Sequence, residues 1–464
     1  MATIIHSEKL QEGRQIAETC VHFGFCTSVC PTYVLDGEEN DSPRGRIALI
    51  KEMLDAGGQP KPATVKYLDR CLSCLSCVTT CAVSVDYRKL IDTARDYIES
   101  SGARSRPERA LRKALAYVLT SPRLLRWSMR LAKPLHGLAS GLPGPVGALA
   151  RLSGARGLNA LARRGRGDTP SVREAAAHTK APIKKVALLD GCAQSVLGEE
   201  INDATRRLLA RLGVQVVDSG LGSACCGALS LHLGDTAKAT SQAAILIEQW
   251  DSLLSSNQID AIVVTTSGCG SVISHYRDLF ANDPQRLERT ARVERACMDI
   301  TQLLAKMPLS LGDRHPGARV AYHDSCSLKH GQKITVQPRA ILKKAGFAVM
   351  DIAEAHLCCG SAGTYNILQP EIAQRLGKRK TDNIRATNPD VVAAGNMGCL
   401  IQISLYAETP IAHVVQLIDW ATGGPAPRGL ESFQPVEKPV PPPSEKAYPT
   451  AEPISESETT DLLW

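Results

Sequence analysis

Cysteine is the residue type whose spacing points to chemistry in this chain. Seven of the sixteen cysteines lie within the first 81 residues, in two groups: Cys20, Cys26 and Cys30, then Cys71, Cys74, Cys77 and Cys81. The second group has the spacing C-x2-C-x2-C-x3-C, in which three close thiolates bind one cubane cluster and the fourth crosses to a second. Zinc sites usually separate two C-x2-C pairs by a dozen or more residues. The pattern predicts two iron-sulfur clusters and an electron carrier.

The two-cluster pattern also assigns ligands. Cluster two takes Cys30, Cys71, Cys74 and Cys77, and cluster one takes Cys20, Cys26 and Cys81. Phe23 stands where a fourth ligand of cluster one belongs, and phenylalanine offers no donor atom. We therefore predict a 3Fe-4S centre beside an ordinary 4Fe-4S centre. The alternatives are a labile 4Fe-4S cluster with a non-cysteine ligand, or loss of cluster one.

The composition limits the class of protein. A chain of 464 residues that is 44% hydrophobic and 22% charged is typical of a soluble globular protein with two or three domains. Cysteines clustered at ligand spacing favour a reducing compartment over a disulfide framework. The N-terminus has no apolar signal region, and no apolar run reaches the roughly 18 residues of a membrane span. We expect a cytoplasmic protein.

A basic segment follows the N-terminal cysteines. Between Ala103 and Arg166 there are fourteen Lys or Arg and one acid, Glu108, whereas the whole chain has a net charge of only +7. Apolar residues recur at helical spacing from Ala110 to Leu119, with Arg109, Arg112 and Lys113 expected on the opposite side. Ser121-Pro122 then resembles the start of a second helix. Such a segment suits an anionic membrane surface, an acidic partner or a solvated linker, and the lack of base-stacking aromatics argues against nucleic acid.

The remaining cysteines belong to an internal repeat. Strands predicted at 186–190, 214–218 and 261–266 recur at 320–324, 347–352 and 391–394, with a helix after the first strand of each set. The spacing is close: 32 residues separate Cys192 from Cys225, and 31 separate Cys326 from Cys358. A repeat of this kind predicts two pseudo-symmetric α/β units with mostly parallel sheets, whose functional residues gather at the carboxyl edge.

Each repeat brings four sulfurs to that edge. They are Cys192, Cys225, Cys226 and Cys269 in the first unit, and Cys326, Cys358, Cys359 and Cys399 in the second. Successive side chains of a strand alternate faces, so the adjacent thiols of each Cys-Cys-Gly step must lie in a turn, where glycine permits a close approach. A buried packing role is the alternative for one pair, but two matched pairs favour a metal or redox site. Cys297 has no counterpart and is interpreted as core.

These observations define the expected architecture, of α+β or α/β class. We expect a helical two-cluster ferredoxin-like domain over residues 1–100, a basic helical linker over 101–183, Cys-Cys-Gly units over 184–310 and 311–423, and a proline-rich disordered tail over 424–464.

Two groups of side chains could tune the sites. Arg44 and Arg46 follow the predicted helix start Ser42-Pro43, and they would favour the reduced form of a nearby anionic cluster, unless they belong to a capped surface helix. His323, His330 and His356 border the cysteines of the second unit. They could relay protons to a quinone, or simply be satisfied within the fold.

Several motifs together carry a resemblance to a known family. They are C-V-H-F-G-F-C-T-S-V-C-P-T-Y at 20–33, S-P-R-G-R-I-A-L-I-K at 42–51, C-C-G-A-L-S-L-H at 225–232, S-G-C-G at 267–270 and L-C-C-G-S-A-G-T-Y at 357–365. From about Glu18 to Ala421 the chain resembles the iron-sulfur subunits of bacterial glycolate oxidase. Heterodisulfide reductase and lactate-utilisation proteins are wider relatives with the same cysteine-rich domain.

The resemblance implies a place in a complex. FAD-containing partner subunits would oxidise glycolate, and this chain would pass the electrons toward quinone. No G-x-G-x-x-G follows a strand, so the chain itself has no recognisable dinucleotide site. Heterodisulfide-reductase units end in C-x-x-C where this chain has only Cys269 and Cys399. The missing cysteine favours electron transfer over the alternative of a thiol-redox subunit. A lactate-utilisation subunit is a further alternative, because the residues that read the substrate lie on other subunits.

Overall fold

The computed structural model describes residues 2–139, 144–153, 183–309 and 317–433. All sixteen cysteines lie in these ranges, and none forms a disulfide. No helix in the described ranges is long and apolar enough to cross a bilayer.

The N-terminal part is helical. Its helices are α1 (Ala2–Glu18), α2 (Pro31–Asp36), α3 (Pro43–Ala56), α4 (Pro62–Asp69), α5 (Ser76–Thr80) and α6 (Tyr87–Ser101). Ser42 begins α3 as predicted, because its side chain accepts a hydrogen bond from the Gly45 amide and Pro43 occupies the first turn. Ile50, Leu68 and Leu90 are fully buried between these helices. This core supports the loops that carry the first seven cysteines.

Three further helices follow: α7 (Arg106–Thr120), α8 (Pro122–Ala139) and α9 (Gly144–Ser153). The helical expectation for this segment holds over 106–139 and 144–153, and residues 154–182 lie outside the described ranges. The prediction that Arg112 faces away from the packed side was wrong. Arg104 and Arg112 are both buried and share Asp69, with nitrogen–oxygen distances of 2.8 and 2.7 Å. Asp69 is distant in sequence, so the charge count along the segment concealed this pairing.

Each Cys-Cys-Gly unit is built on a four-stranded parallel sheet. The first unit contains β1 (Lys185–Leu189), α10 (Gln194–Leu197), α11 (Glu199–Arg211), β2 (Gln215–Val217), α12 (Ala228–His232), α13 (Thr236–Ser255), β3 (Ala261–Val264), α14 (Ser267–Ile273), α15 (Pro284–Ala296), β4 (Cys297–Asp299) and α16 (Ile300–Ala305). The second contains β5 (Arg319–His323), α17 (Gln337–Lys344), β6 (Ala348–Met350), α18 (Tyr365–Leu368), α19 (Pro370–Arg385), β7 (Val391–Ala394), α20 (Met397–Ser404), β8 (Ile411–His413) and α21 (Val414–Ala421). The strand orders are β2-β1-β3-β4 and β6-β5-β7-β8.

The matching orders confirm the predicted fold class and its pseudo-symmetry. The register is equivalent as well, because Leu189 pairs with Val264 in the first sheet as His323 pairs with Ala394 in the second. The fourth strand of each sheet was not predicted. Both strands have three residues and end in a capping box, made by Asp299 in one unit and His413 in the other.

The two units share one hydrophobic core. Val186 and Val263 of the first sheet belong to the same buried cluster as Val320 and Val392 of the second. At its edge Asp419 of α21 is buried and binds Arg207 of α11 at 2.6 Å. The carboxylate also pairs with Arg211. The units are therefore joined by both apolar packing and buried charge.

The C-terminal tail packs further than expected. Leu430 is 2% exposed, and the Phe433 ring meets Trp420 edge to face at 6.2 Å. These two apolar residues extend the ordered chain past residue 424, in spite of the proline and glycine around them. Residues 434–464 of the predicted tail lie outside the described ranges.

Candidate electron-transfer site

The N-terminal cysteines separate into a buried set and a half-buried set. Cys30, Cys71, Cys74 and Cys77, the four residues that the sequence assigns to cluster two, are buried and line one small cavity. Cys20, Cys26 and Cys81 are half-buried and pack against the same helical core.

Polar donors point at the sulfurs of the buried set. The Cys71 sulfur accepts hydrogen bonds from Ser73 N at 3.5 Å and from Tyr87 Oη at 3.6 Å. The Cys30 sulfur accepts one from Arg46 Nη1 at 3.7 Å. Such donors stabilise the charge of thiolate-bound clusters and influence their potential. The buried thiols and the donors aimed at them fit an iron-sulfur cluster.

The loop around this cavity has a strained backbone. Ser73 and Leu75 adopt positive φ angles of 50° and 60°, which residues with a Cβ rarely adopt. Burial holds the pKa of Cys74 and of Cys77 well above the usual value, so the bare sites keep neutral thiols and metal binding must release protons.

The two arginines predicted near the clusters have different environments. Arg46 is fully buried, donates to Tyr67 O and Thr32 Oγ1, and pairs with Asp41 at 2.9 Å. Arg44 is partly exposed and pairs with Glu39. Of these two arginines, Arg46 is the buried one and lies beside a cysteine assigned to cluster two.

The loop of cluster one carries an apolar surface. Phe23 is 68% exposed and its ring lies 6.1 Å from that of Phe25, so it points to solvent, away from the packed core. Val21 and Val83 are also exposed, and in the sequence they lie next to Cys20 and near Cys81. We call these four residues the cluster-one patch.

In the first Cys-Cys-Gly unit the cysteines follow strand ends, as predicted. Hydrogen bonds from Cys192 and Cys226 hold the pKa of Cys225 below its usual value, which favours the thiolate, the form that binds metals. Gly227 has a φ of +84°, and a Cβ there would lie 2.8 Å from Ala239 O. The glycine thus lets the Cys-Cys-Gly turn pack closely against the backbone of α13, a contact that the sequence did not indicate.

The second unit repeats this turn and adds a histidine. Hydrogen bonds from Cys326 and Cys359 hold the pKa of Cys358 well below its usual value. The donor atoms of Cys359, Cys399 and His323 all lie within 4.8 Å of one another. These donors suit a thiophilic metal or an iron-sulfur cluster. Cys297, interpreted as core, starts β4 and packs against the core of the first unit.

The other two histidines that the sequence places near these cysteines are His330 and His356. His330 makes a 2.7 Å hydrogen bond through Nδ1 with Thr79 Oγ1 of α5, and burial lowers its pKa to about 4. Burial also lowers the pKa of His356. Both imidazoles are therefore neutral at neutral pH, and His330 links the second unit to the N-terminal domain.

The second unit lies directly against cluster two. Cys74 and Cys358 share one buried apolar cluster, and the neighbouring Cys358 thiol adds to burial in raising the pKa of Cys74. Tyr365 Oη donates to Arg70 O at 3.0 Å across the same boundary. A contact between residues 284 positions apart leaves no signal in a single sequence.

The cysteines of both units open into one large cavity. Its volume is about 1830 Å³, and all eight Cys-Cys-Gly cysteines contribute to its lining. Facing them are apolar side chains of α7, α8 and α9, among them Leu115, Val118, Met129 and Leu152. A mostly apolar cavity with sulfur donors on one wall suits a hydrophobic redox partner.

Known proteins match this arrangement. Residues 16–85 match the 4Fe-4S dicluster domain family, and residues 186–274 and 320–404 match the cysteine-rich domain family. The glycolate oxidase iron-sulfur subunit of Escherichia coli (strain K12) is 34% identical over 410 residues, which cover 88% of this chain and 95% of that protein.

Two further relatives are similar over different shares of the chain. A protein of Bacillus subtilis (strain 168), described as a probable glycolate oxidase iron-sulfur subunit, is 32% identical over 86% of this chain and 91% of its own length. Lactate utilization protein A of Oceanobacillus iheyensis is 25% identical over 47% of this chain and 88% of its own length. With two cluster-type cysteine sets, two cysteine-rich units and these identities over almost its full length, the chain belongs to the family of glycolate oxidase iron-sulfur subunits.

Proposed function

We propose that the chain is the electron-transfer subunit of a flavin-dependent glycolate dehydrogenase complex. FAD-containing partner subunits would oxidise glycolate, and this chain would pass the electrons to quinone. When bound, iron-sulfur clusters supply one-electron reduction and reoxidation over a wide range of potentials. The observation that carries the proposal is the buried cluster that Cys74 shares with Cys358, because Cys358 also lines the cavity.

For the N-terminal domain we propose the ligand sets predicted from the sequence. Cys30, Cys71, Cys74 and Cys77 would hold a 4Fe-4S cluster, and Cys20, Cys26 and Cys81 would hold cluster one. The outward direction of Phe23 supports a 3Fe-4S centre there, because no donor takes the place of the missing thiolate at that position.

Electron paramagnetic resonance of anaerobically purified, oxidised protein tests this point. A 3Fe-4S signal that disappears in Phe23→Cys is expected. The absence of that signal from fully metallated protein would refute it.

The cluster-one patch would receive the flavoprotein. Exposed phenylalanines are rare on a soluble surface, and here they lie in the loop between two cluster-one ligands. Phe25→Ser should weaken partner binding at least tenfold in a pull-down titration and leave the cluster spectra intact. Val336 is equally exposed on the second unit, so Val336→Ser is a matched control that should bind normally.

The cavity would receive quinone, with its cysteines as the last electron donors. We propose metal or cluster centres at both Cys-Cys-Gly sites, because four cysteines gather at each, three of them buried in the second unit and one in the first. Cys226→Ser or Cys359→Ser should abolish quinone reduction while the N-terminal cluster spectra persist. Unchanged turnover in both variants would reduce these cysteines to a packing role.

Helix α8 would hold the cavity against the inner face of the cell membrane. Leu124, Trp127 and Leu131 form an exposed apolar stripe beside Arg123 and Arg130, the arrangement of an interfacial helix. Binding to vesicles with anionic lipid should weaken with salt, because the Debye length shortens to about 8 Å at physiological ionic strength.

Trp127→Ser should also weaken vesicle binding. Ile245→Ser, at an equally exposed apolar residue of α13, is the matched control. Absence of binding at low salt would contradict this location and leave the chain in the cytoplasm.

The complex as a whole is tested by purification of the full chain from its native host. Co-purification with flavoproteins and glycolate-dependent quinone reduction are expected, and recovery of the chain alone would refute the proposal. A lactate-utilisation or thiol-redox role is the second candidate, favoured by the lactate utilization relatives and by the thiolates open to the cavity. Faster turnover with lactate than with glycolate, or disulfide reduction lost in Cys226→Ser, would select it.

A further inference from the structure

The cysteines of the two units are equivalent, but the ends of their first strands are not. β1 ends at Leu189 and β5 ends at His323, and the strand register makes these residues counterparts. Both side chains are buried, at 4% and 1% exposure. Leu189 packs beside Cys226 in an apolar cluster, whereas His323 lies among the sulfurs of the second unit.

His323 is a buried polar group with no oxygen or nitrogen partner among the described residues. Its ring interacts instead with the sulfur of Cys399. A buried imidazole whose neighbours are sulfurs requires an explanation, because buried polar groups normally pair with oxygen or nitrogen. Its nearest donor atoms are the sulfurs of Cys359 and Cys399, both within 4.8 Å.

The second unit therefore has five donors where the first has four. Hydrogen bonds connect Cys326, Cys358, Cys359 and Cys399 in that order. The ring of His323 lies within 4.8 Å of the last two sulfurs. Five donors exceed the four that one tetrahedral ion takes, which favours a cluster over single zinc. Imidazole can replace thiolate on iron in such clusters, and it then raises the reduction potential.

We propose that His323 is an imidazole ligand of an iron-sulfur centre in the second Cys-Cys-Gly unit, a ligand that the first unit lacks. The centre of the second unit then has the higher potential of the two. Because Cys358 packs against Cys74, the better electron acceptor also lies closer to cluster two. The inference rests on the proposed metal centres of these units.

The test uses the full chain, purified anaerobically with its partner subunits. Pulsed electron paramagnetic resonance should detect a nitrogen coupling at a reduced iron centre, and ¹⁵N-histidine labelling should convert it to the ¹⁵N pattern. His323→Leu, which copies the first unit, should lose this coupling. His22→Ala is the control, because His22 is the histidine nearest in sequence to the cluster-one ligands. This variant should keep the coupling, since the coupling is assigned to His323.

His323→Cys guards against a variant that fails to fold. It should retain the iron and lower the potential of the centre, but it should lose the nitrogen coupling. A coupling that is absent from the wild-type protein or that survives in His323→Leu would overturn the inference, as would zinc bound in place of iron.

Iron analysis separates this inference from the proposed function. If Cys359→Ser and Cys226→Ser leave the iron content unchanged, the units hold no iron and the proposed centres fail. If iron falls in Cys359→Ser but no nitrogen coupling exists, the centres stand and only the role of His323 fails.

Discussion

Arg46 offers a quantitative test of how the fold controls cluster two. Its guanidinium lies 3.7 Å from Cys30 Sγ and is fully buried, away from bulk solvent. Replacement by glutamine removes one positive charge while Arg70 continues to neutralise Asp41. A cluster gains negative charge on reduction, so loss of the cation should lower its reduction potential.

The size of the shift follows from Coulomb's law. A unit charge at 3.7 Å interacts with a thiolate by about 4.5 kcal/mol at an effective dielectric constant of about 20. The added electron is shared over a cluster that extends away from Cys30, so we take about a third of this energy. The result is roughly 1.4 kcal/mol, or about 60 mV for one electron.

The assay is a potentiometric titration followed by electron paramagnetic resonance. Arg46→Gln should move the midpoint of cluster two down by about 60 mV. Arg44→Gln is the matched control and should cause a much smaller shift, because Arg44 is partly exposed and paired with Glu39. Equal shifts in the two variants, or no shift in Arg46→Gln, would refute this view of the buried charge.

Three other predictions concern stability. Gly227→Ala and Gly360→Ala should each lower the thermal midpoint and the iron content. Both glycines have a positive φ, and a Cβ there would lie 2.8 or 2.7 Å from a carbonyl oxygen. A normal midpoint in both variants would contradict this argument. Asp419→Asn should lower the free energy of unfolding, measured by denaturant titration, by about 2–4 kcal/mol, because two arginines lose a buried partner. A loss of less than about 1 kcal/mol would mean that these ion pairs contribute little. Burial lowers the pKa of His413 to about 4, so the unfolded state binds a proton there more readily than the folded state. The free energy of unfolding should therefore reach its full value above pH 6.5 and fall by about 3 kcal/mol toward pH 4. His413→Gln should flatten this pH dependence.

Local patterns predicted much of the fold. The spacing of Cys71, Cys74 and Cys77 requires a loop around a cluster, and the structure places these thiols with Cys30 around one cavity. The repeat predicted six of the eight strands, because buried runs such as Ala261–Val264 are continuously apolar. β4 and β8 were missed because each runs directly into a helix, at Ile300 and at Val414, with no turn residue to mark its end.

Other features depend on contacts between distant residues. The Arg112–Asp69 pair and the Cys74–Cys358 contact join segments whose proximity no local pattern encodes. The difference between Leu189 and His323 is visible in the sequence, but its meaning depends on the strand register and on the sulfurs beside the buried ring. Sequence therefore supplied the candidate donors, and the tertiary structure shows which of them meet.

The common core of the two units bears on how this chain arose. A single unit would expose to water the apolar face that now packs against its twin, so the ancestor before gene duplication is expected to have been a homodimer. One gene then specified both sites, and a histidine at the end of one strand implied a histidine at the other. In a single polypeptide the two sites need not be identical, and Leu189 and His323 are one position at which they differ. If the second unit holds the centre of higher potential, as proposed above, the difference gives electron flow a direction that the identical sites of a symmetric homodimer would lack.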